Sequence, residues 1–417
     1  MELKLESCVK VCSGRCRQPS ETVAFLEQLL GERHDYWLHE EKVSDQLYWS
    51  AMFLEDVEGF RSMGKGTTAQ ESRAGALAEG AESLTARDIV DLPGYVLAHP
   101  DEVPNSLTIE SLLAHIATAT PPVVEEIKEL DAARHWVDAT SLMDGSVLKI
   151  PIEYIYQISG PNGRASGNRI EEAIVHAVNE VFERRAHITV LKNRMVVPTI
   201  DLESVNHPVI REQIEFVQSR GIRVTLKDLS FGGVLPCIGA YFYDPNIPEE
   251  NQFHHFFKVG ASFSTEEALL RVFTEYTQGR KEEEFIGDDE QARERLLNHD
   301  FRSLPTQPTH CDNFMSTFMF GFVPYRDASF LEEGEIIPFE PHPGFEDCLE
   351  DIEQAKKICA ALGKDLLVLD WTDPDLGFAV AQVIIPGYSD VLPYHPSNSQ
   401  GLFKAWTRGD VLASYAR

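Results

Sequence analysis

Residues 163–184 read GRASGNRIEEAIVHAVNEVFER. The segment opens on glycine and small polar residues, then passes into an apolar period carried by Ile174, Val178 and Val181. That change of pattern marks a helix entered from a tight turn. Winding residues 168–184 at ~100° per residue places His176 at ~40°, Glu183 at ~20° and Glu180 at ~80° from Glu172, with Asn168 at ~-40° and Arg184 at ~120°. An amide, three carboxylates and a guanidinium thus share less than half of the helix circumference. Such a band is either a face toward water or a site.

The pattern is written twice more. Residues 64–83 read GKGTTAQESRAGALAEGAES and residues 260–280 read GASFSTEEALLRVFTEYTQGR. Aligned on Glu79, Glu180 and Glu275, the three segments carry Glu82, Glu183 and Gln278 three residues later. Eight residues earlier stand Glu71, Glu172 and Glu267. Carboxylates recurring on three helices are expensive to bury unless cations sit among them. A magnesium–nucleotide site is therefore the leading expectation, with Arg184 and Arg271 as bidentate partners for phosphate oxygens. Glu71 and Glu267 equally suit acids placed in a first helical turn by the helix dipole. Arg271 and Glu275, one turn apart, equally suit a surface ion pair.

The 417 residues are 43% hydrophobic and 25% charged, the make-up of a folded chain. A net charge of -30 argues against nucleic acid and against anionic membranes as partners. Most of the acidic residues are read as solvated surface. The start, MELKLESCVK, lacks the apolar core of a secretory leader. No stretch approaches the ~20 apolar residues that span a bilayer. Seven cysteines, odd in number and unevenly spread, suit a reducing compartment, so a cytoplasmic location is expected.

Along the chain, residues 1–60 read as strand, helix, strand, with Ser20 as the helix N-cap ahead of VAFLEQLL. Residues 91–135 are proline-rich and read as an insertion or loop region with a short helix near Ile109–Ala119. HWVDATSLMDGSVLKIPIEYIY, residues 135–156, reads as a hairpin turning at Asp144-Gly145. Further helices are expected at 207–220 and 344–362, and further strands in RVTLKDLS, VLPCIGAYFYD, DLLVLDW and GFAVAQVIIPG. Residues 281–310 are strongly charged and read as exposed, and the tail after Tyr388 reads as ending in a short helix. No low-complexity linker separates domains, so one catalytic domain over 1–417 is expected.

Other motifs carry less. Gly59–Gly66, GFRSMGKG, fits GxxxxGK but ends on glycine where a P-loop needs Ser or Thr. Cys8, Cys12 and Cys16 form C-x3-C-x3-C, open to a soft metal, a sulfur relay or simple packing. His254-His255 and His310-Cys311-Asp312 lack paired zinc-ligand spacing.

These motifs together resemble the YcaO family of ATP-dependent enzymes that activate backbone amides. The family's SxxxExxER element resembles Gly75–Ser83, with Glu79 and Glu82 matching and Gly75 and Ser83 departing from it. NxxxE corresponds to Asn168 and Glu172, ExxER to Glu180, Glu183 and Arg184, and RxxxE to Arg271 and Glu275. A basic residue followed seven positions on by a hydroxyl resembles Arg15 and Thr22, and Ser166 matches a serine beside the nucleotide. The resemblance runs over about residues 10–398 and includes GKG at Gly64–Gly66 and VIIPGYSDVLP at Val383–Pro393.

The resemblance implies an α+β fold of mixed sheets and helices, holding ATP and Mg2+ among the glutamate helices. Glu79, Glu82, Glu180, Glu183 and Glu275 are then the expected metal carboxylates. Arg15, Thr22, Ser166, Asn168, Glu172, Arg184 and Arg271 are the expected nucleotide residues, alongside Glu79 and Glu82. Glu180, Glu183, Arg184 and Arg271 are the expected catalytic set. The implied chemistry is phosphate transfer to a peptide amide oxygen, which a nucleophile then replaces. The chain ends LASYAR rather than in the proline-rich tail of azoline-forming members, so thioamidation or an accessory role in methylthiolation is expected over cyclodehydration. The alternatives are a degenerate, non-catalytic nucleotide-binding subunit and an azoline-forming cyclodehydratase of a ribosomally made peptide. Expected partners are a peptide or protein substrate, a recognition or sulfur-delivery protein, and a second copy in a homodimer.

Overall fold

The computed structural model describes residues 3–85, 91–113, 132–249, 253–285, 321–323 and 325–389. Its longer helices are α1 (Pro19–Gly31), α2 (Ala69–Thr85), α3 (Ile170–Asn193), α4 (Pro208–Ser219), α5 (Thr265–Thr277) and α6 (Cys348–Ala361). Its strands are β1 (Tyr36–Ser44), β2 (Leu47–Leu54), β3 (Arg61–Gly66), β4 (Val96–Ala98), β5 (Arg134–Ser141), β6 (Val147–Pro151), β7 (Arg164–Gly167), β8 (Thr199–Ile200), β9 (Arg223–Asp228), β10 (Cys237–Tyr243), β11 (His255–Ala261), β12 (Ile336–Ile337), β13 (Leu367–Asp370) and β14 (Ala379–Ile384). The mixed α+β character expected from the sequence is what the chain adopts.

The chain divides into two compact units. The first is Met1–Lys10, Glu82–Val181 and Glu346–Arg417, and the second is Val11–Ala81 and Phe182–Phe345. The division falls inside α2 and α3, not in a linker.

The first unit is built on a six-stranded sheet, β4-β5-β13-β14-β7 with β6 on β5. The β5–β6 hairpin turns where Asp144-Gly145 foretold it, with Gly145 at φ 78° and the Asp144 carboxylate accepting from Ser146 N at 2.8 Å. Alternate residues Val137, Ala139 and Ile150 enter a core with Tyr154, Trp371 and Ile384. The expected N-terminal strand is absent among the described residues. Two isolated bridges, Val9 to Asp347 and Cys12 to Arg15, are made there. The segment is fastened by two main-chain bonds, Cys348 N to Cys8 O (3.0 Å) and Lys10 N to Glu346 O (2.8 Å), and by side chains. Asp347 accepts from Cys8 N (2.9 Å) and Ser7 Oγ (2.5 Å) while capping α6 through Leu349 N (2.8 Å). Helix α6 accordingly starts at Cys348, four residues later than Gly344, because Asp347 is the better cap.

The second unit holds a three-stranded sheet, β1-β2-β3, and a five-stranded sheet, β11-β10-β9-β8-β12. Its core is aromatic around α5, where Phe242 stacks on Tyr276 with centroids 3.8 Å apart. The N-cap of α1 is Gln18, not Ser20, because Pro19 takes the first helical position and Glu21 accepts from Gln18 N at 3.0 Å. The GFRSMGKG segment is strand β3 from Arg61 onward, paired antiparallel with β2, and so not a phosphate loop.

Two glycines set how closely helix meets strand. A Cβ on Gly64 of β3 would lie 2.1 Å from Ala76 N and Ser72 O of α2. A Cβ on Gly260 of β11 would lie 2.1 Å from Ala268 O of α5. Each glutamate helix in this unit therefore packs main chain to main chain on the strand that feeds it.

The short helix expected near Ile109–Ala119 is present as Ile109–Leu113, and the rest of it lies outside the described residues. So do His310-Cys311-Asp312, most of the charged 281–310 segment, and the tail from 390 with its final helix.

Candidate active site

The two positions flanking each glutamate helix entry are built alike. Glu71 accepts from Thr67 N and Oγ1, both at 2.8 Å. Glu172 accepts from Asn168 Nδ2 at 3.2 and 3.3 Å. Glu267 accepts from Ser262 Oγ at 3.0 Å, while Ser264 caps α5 through Glu267 N. These first-turn glutamates brace the loops that lead into their own helices. Glu172 is fully buried, so the polar band of α3 is not a face toward water.

In the second unit, charged residues gather on α5. Lys65 of β3 pairs with Glu275 Oε1, and Lys258 of β11 stands 3.4 Å from Glu275 Oε2. Arg271, one turn before Glu275, donates through Nη1 to Ala261 O at 3.0 Å, at the end of β11. Burial first, then the positive field of Lys258, push the Lys65 ammonium down to about 7, with Arg271 adding to the push and Glu183 and Glu79 opposing it. The 28% exposure that the Lys65 side chain keeps moderates that desolvation. Lys258 is pushed down to about 8, mainly by burial, with Glu183 opposing and Arg184 adding. Glu79, Glu183, Arg184, Arg271 and Glu275 therefore act within one electrostatic neighbourhood around the two lysines. Arg15 and Thr22 belong to the same unit. Arg15 closes the Cys12–Arg15 turn, whose Gly14 abuts the Glu267 carboxylate, and Thr22 is buried on α1.

In the first unit, Glu180 accepts from Gly163 N at 2.8 Å. Arg164 Nε stands 3.6 Å from Glu82 Oε1, with its guanidinium 5.9 Å from the Trp371 ring centroid. Ser166 is buried on β7, in register with Val380 of β14.

Lys65 and Lys258 were not among the expected site residues. Lys65 sits in GKG between two glycines whose close approach to α2 leaves no room for a side chain. Lys258 is a charge in an apolar strand, HFFKVGA, and that isolation was the available signal. The other motifs are accounted for locally. Cys12 Sγ lies 3.1 Å from Arg17 O. His254 Nδ1 lies 2.9 Å from Ile247 O, and His255 Nδ1 2.5 Å from Tyr241 OH. Among the described residues, no three His, Cys, Asp or Glu side chains are grouped as a metal site. None of the helices among them is long and apolar enough to cross a membrane.

The chain belongs to the YcaO family. Residues 63–389 match the family model of the YcaO cyclodehydratase, described as ATP- and Mg2+-binding. At 24% identity over 368 residues it resembles the ribosomal protein S12 methylthiotransferase accessory factor YcaO of Escherichia coli strain K12, covering 79% of this chain and 57% of that one. Among solved structures it resembles a heterocyclase in complex with substrate and cofactor, at TM-score 0.67 and 20% identity, over 98% of this chain and 58% of that one. It also resembles the YcaO of Methanopyrus kandleri bound with AMPPCP and Mg2+, at TM-score 0.61 and 18% identity, over 94% and 99% of the two chains. The chain thus spans a little over half of the E. coli relative and of the heterocyclase, and nearly the whole of the archaeal protein. ATP and Mg2+, the cofactors expected from the sequence, are those of the family.

Proposed function

We propose that this chain is an ATP- and Mg2+-dependent enzyme that phosphorylates a peptide backbone amide oxygen, leading to thioamidation or to an accessory role in methylthiolation of a protein. The observation that carries this reading is the gathering at Glu275. Hard carboxylate oxygens of Glu79, Glu183 and Glu275 share one neighbourhood with Lys65, Arg184, Lys258 and Arg271. Mg2+ is commonly held by one or two carboxylates plus substrate phosphates, so the donor chemistry fits without a closed cage.

When bound, Mg2+ would neutralise charge on the phosphate oxygens during transfer. Glu183 of α3 and Glu275 of α5 would hold the metal, with Glu180 of α3 and Glu79 and Glu82 of α2 as further carboxylates. Arg184 and Arg271 address phosphate oxygens, and Arg15, Thr22, Ser166, Asn168 and Glu172 serve the nucleotide. The chain's contribution is position and fixed charge. ADP leaves as the amide oxygen takes the phosphoryl group. A sulfur nucleophile then adds to the amide carbon, and phosphate departs with the oxygen. The E. coli relative's name supports a protein substrate and a partner enzyme; a cytoplasmic location and a homodimeric assembly complete the proposal.

Calorimetric titration of ATP with and without Mg2+ tests the reading. Magnesium-dependent binding is expected. A well-folded protein that binds no ATP under either condition ends it, and binding without turnover on any peptide points to the non-catalytic subunit.

A further inference from the structure

Glu275 is held from two directions. Lys65 reaches Oε1 from β3 of the three-stranded sheet, and Lys258 faces Oε2 at 3.4 Å from β11 of the five-stranded sheet. Neither lysine is a helical neighbour of Glu275, so local sequence does not account for the pairing. The carboxylate is 19% exposed and Lys258 only 8%. At such burial, a carboxylate stripped of its partners is strongly unfavourable. Two lysines on one carboxylate, with Arg271 a turn away, crowd positive charge at Glu275 itself, and Glu79 and Glu183 offset only part of it. A divalent cation reaching Glu275 with both lysines in place would meet like charges at short range.

Building on the ATP and Mg2+ reading above, we infer that Lys65 and Lys258 are stand-in cations. They neutralise Glu275 before nucleotide arrives, and the triphosphate draws them off and releases the carboxylate to the metal. Phosphate oxygens are good alternative partners for both ammonium groups. Metal and nucleotide then bind interdependently, each improving the site for the other. Magnesium alone gains little, because it must displace an ammonium from Glu275 without the phosphate oxygens that would draw it off.

Titration calorimetry on wild type, Lys65→Met and Lys65→Arg tests this with three probes: MgCl2 alone, ATP in EDTA, and ATP with MgCl2. The two effects of Lys65→Met are expected to have opposite signs. MgCl2 alone should bind about ten-fold tighter and ATP in EDTA about ten-fold weaker, each a factor of ten in Kd. Lys65→Arg should stay near wild type on both. Lys65→Met with wild-type affinity for both probes, or with both weakened together, overturns the inference. If Lys65→Met does not fold, Lys258→Met carries the same expectation. Wild type that binds ATP with MgCl2, next to an unaltered Lys65→Met, removes the stand-in role alone. Wild type that binds no ATP at all removes the functional reading with it.

Discussion

The main-chain N–H of Gly163 donates to Glu180 Oε1 at 2.8 Å, so this carboxylate has a structural bond as well as an expected metal role. Gly163 is buried, and deleting its acceptor strands the N–H at a cost of about 1–3 kcal/mol. Glu180→Ala should therefore lower the melting temperature and weaken Mg-dependent ATP binding together. Glu180→Gln keeps an acceptor and loses the charge. It should melt near wild type and still bind Mg-ATP poorly. Equal melting temperatures for the two variants would remove the structural half of this account.

Glu183 lies in the field of both lysines of the second unit. Glu183→Gln should fold normally and lose ATP turnover by about two orders of magnitude or more, the scale of losing one preorganised charge in a transfer site. A steady-state ATPase assay with candidate peptides checks it, and full activity in the variant would take Glu183 out of the site.

Gly64 admits no side chain. Gly64→Ala should destabilise by about 1–3 kcal/mol or more, because a methyl group would meet main-chain atoms that cannot rotate away. Gly31→Ala is the matched control, since its Cβ would meet only Tyr36 at 4.0 Å. Urea melts of the two should differ clearly. Similar midpoints would mean that α2 can shift off β3.

Acid should loosen the second unit through His187. Burial pushes its pKa from 6.5 down to about 3, with Lys258 adding to the shift. The folded protein keeps this imidazole neutral, while the unfolded chain takes up a proton below about 6.5. Its contribution to stability is complete above that pH and is lost progressively toward pH 3. Each unit inside the window is worth up to about 1.4 kcal/mol. His187→Phe should narrow the stability gap between neutral and mildly acid pH. His255, pushed down to about 4, mainly by burial, acts in the same sense and leaves part of the slope in place. An unchanged gap in urea melts would clear His187.

Asp347 serves two masters, capping α6 and fastening Ser7 and Cys8. Asp347→Ala should cost about 0.5–2 kcal/mol as a lost cap. It should also loosen the segment and speed trypsin cleavage at Lys4 and Lys10, and cleavage rates no faster than wild type would count against the fastening.

The three glutamate helices were legible because a polar band and an apolar period coincide on each. The hairpin was legible because Asp144-Gly145 names its own turn. Ser20 misled because it looks like a cap, whereas proline at the next-earlier position moves the helix start upstream. The two-unit division left no mark in composition, since it passes through α2 and α3, where each residue still obeys its helix. Lys65 and Lys258 escaped because periodic reading treats a lone cation in a strand as noise. Only the pairing of distant strands with α5 gives it a partner.

The glycine seats of β3 and β11 also govern how this chain can change length. Two residues separate Gly66 from α2, two separate Gly167 from α3, and three separate Ala261 from α5. A single added residue in any of these turns would swing the following helix by a quarter of a rotation and carry its glutamates out of alignment. Growth and loss of sequence over time must then fall elsewhere. The fixed count from turn to glutamate becomes a ruler by which very remote kin of this chain can be recognised.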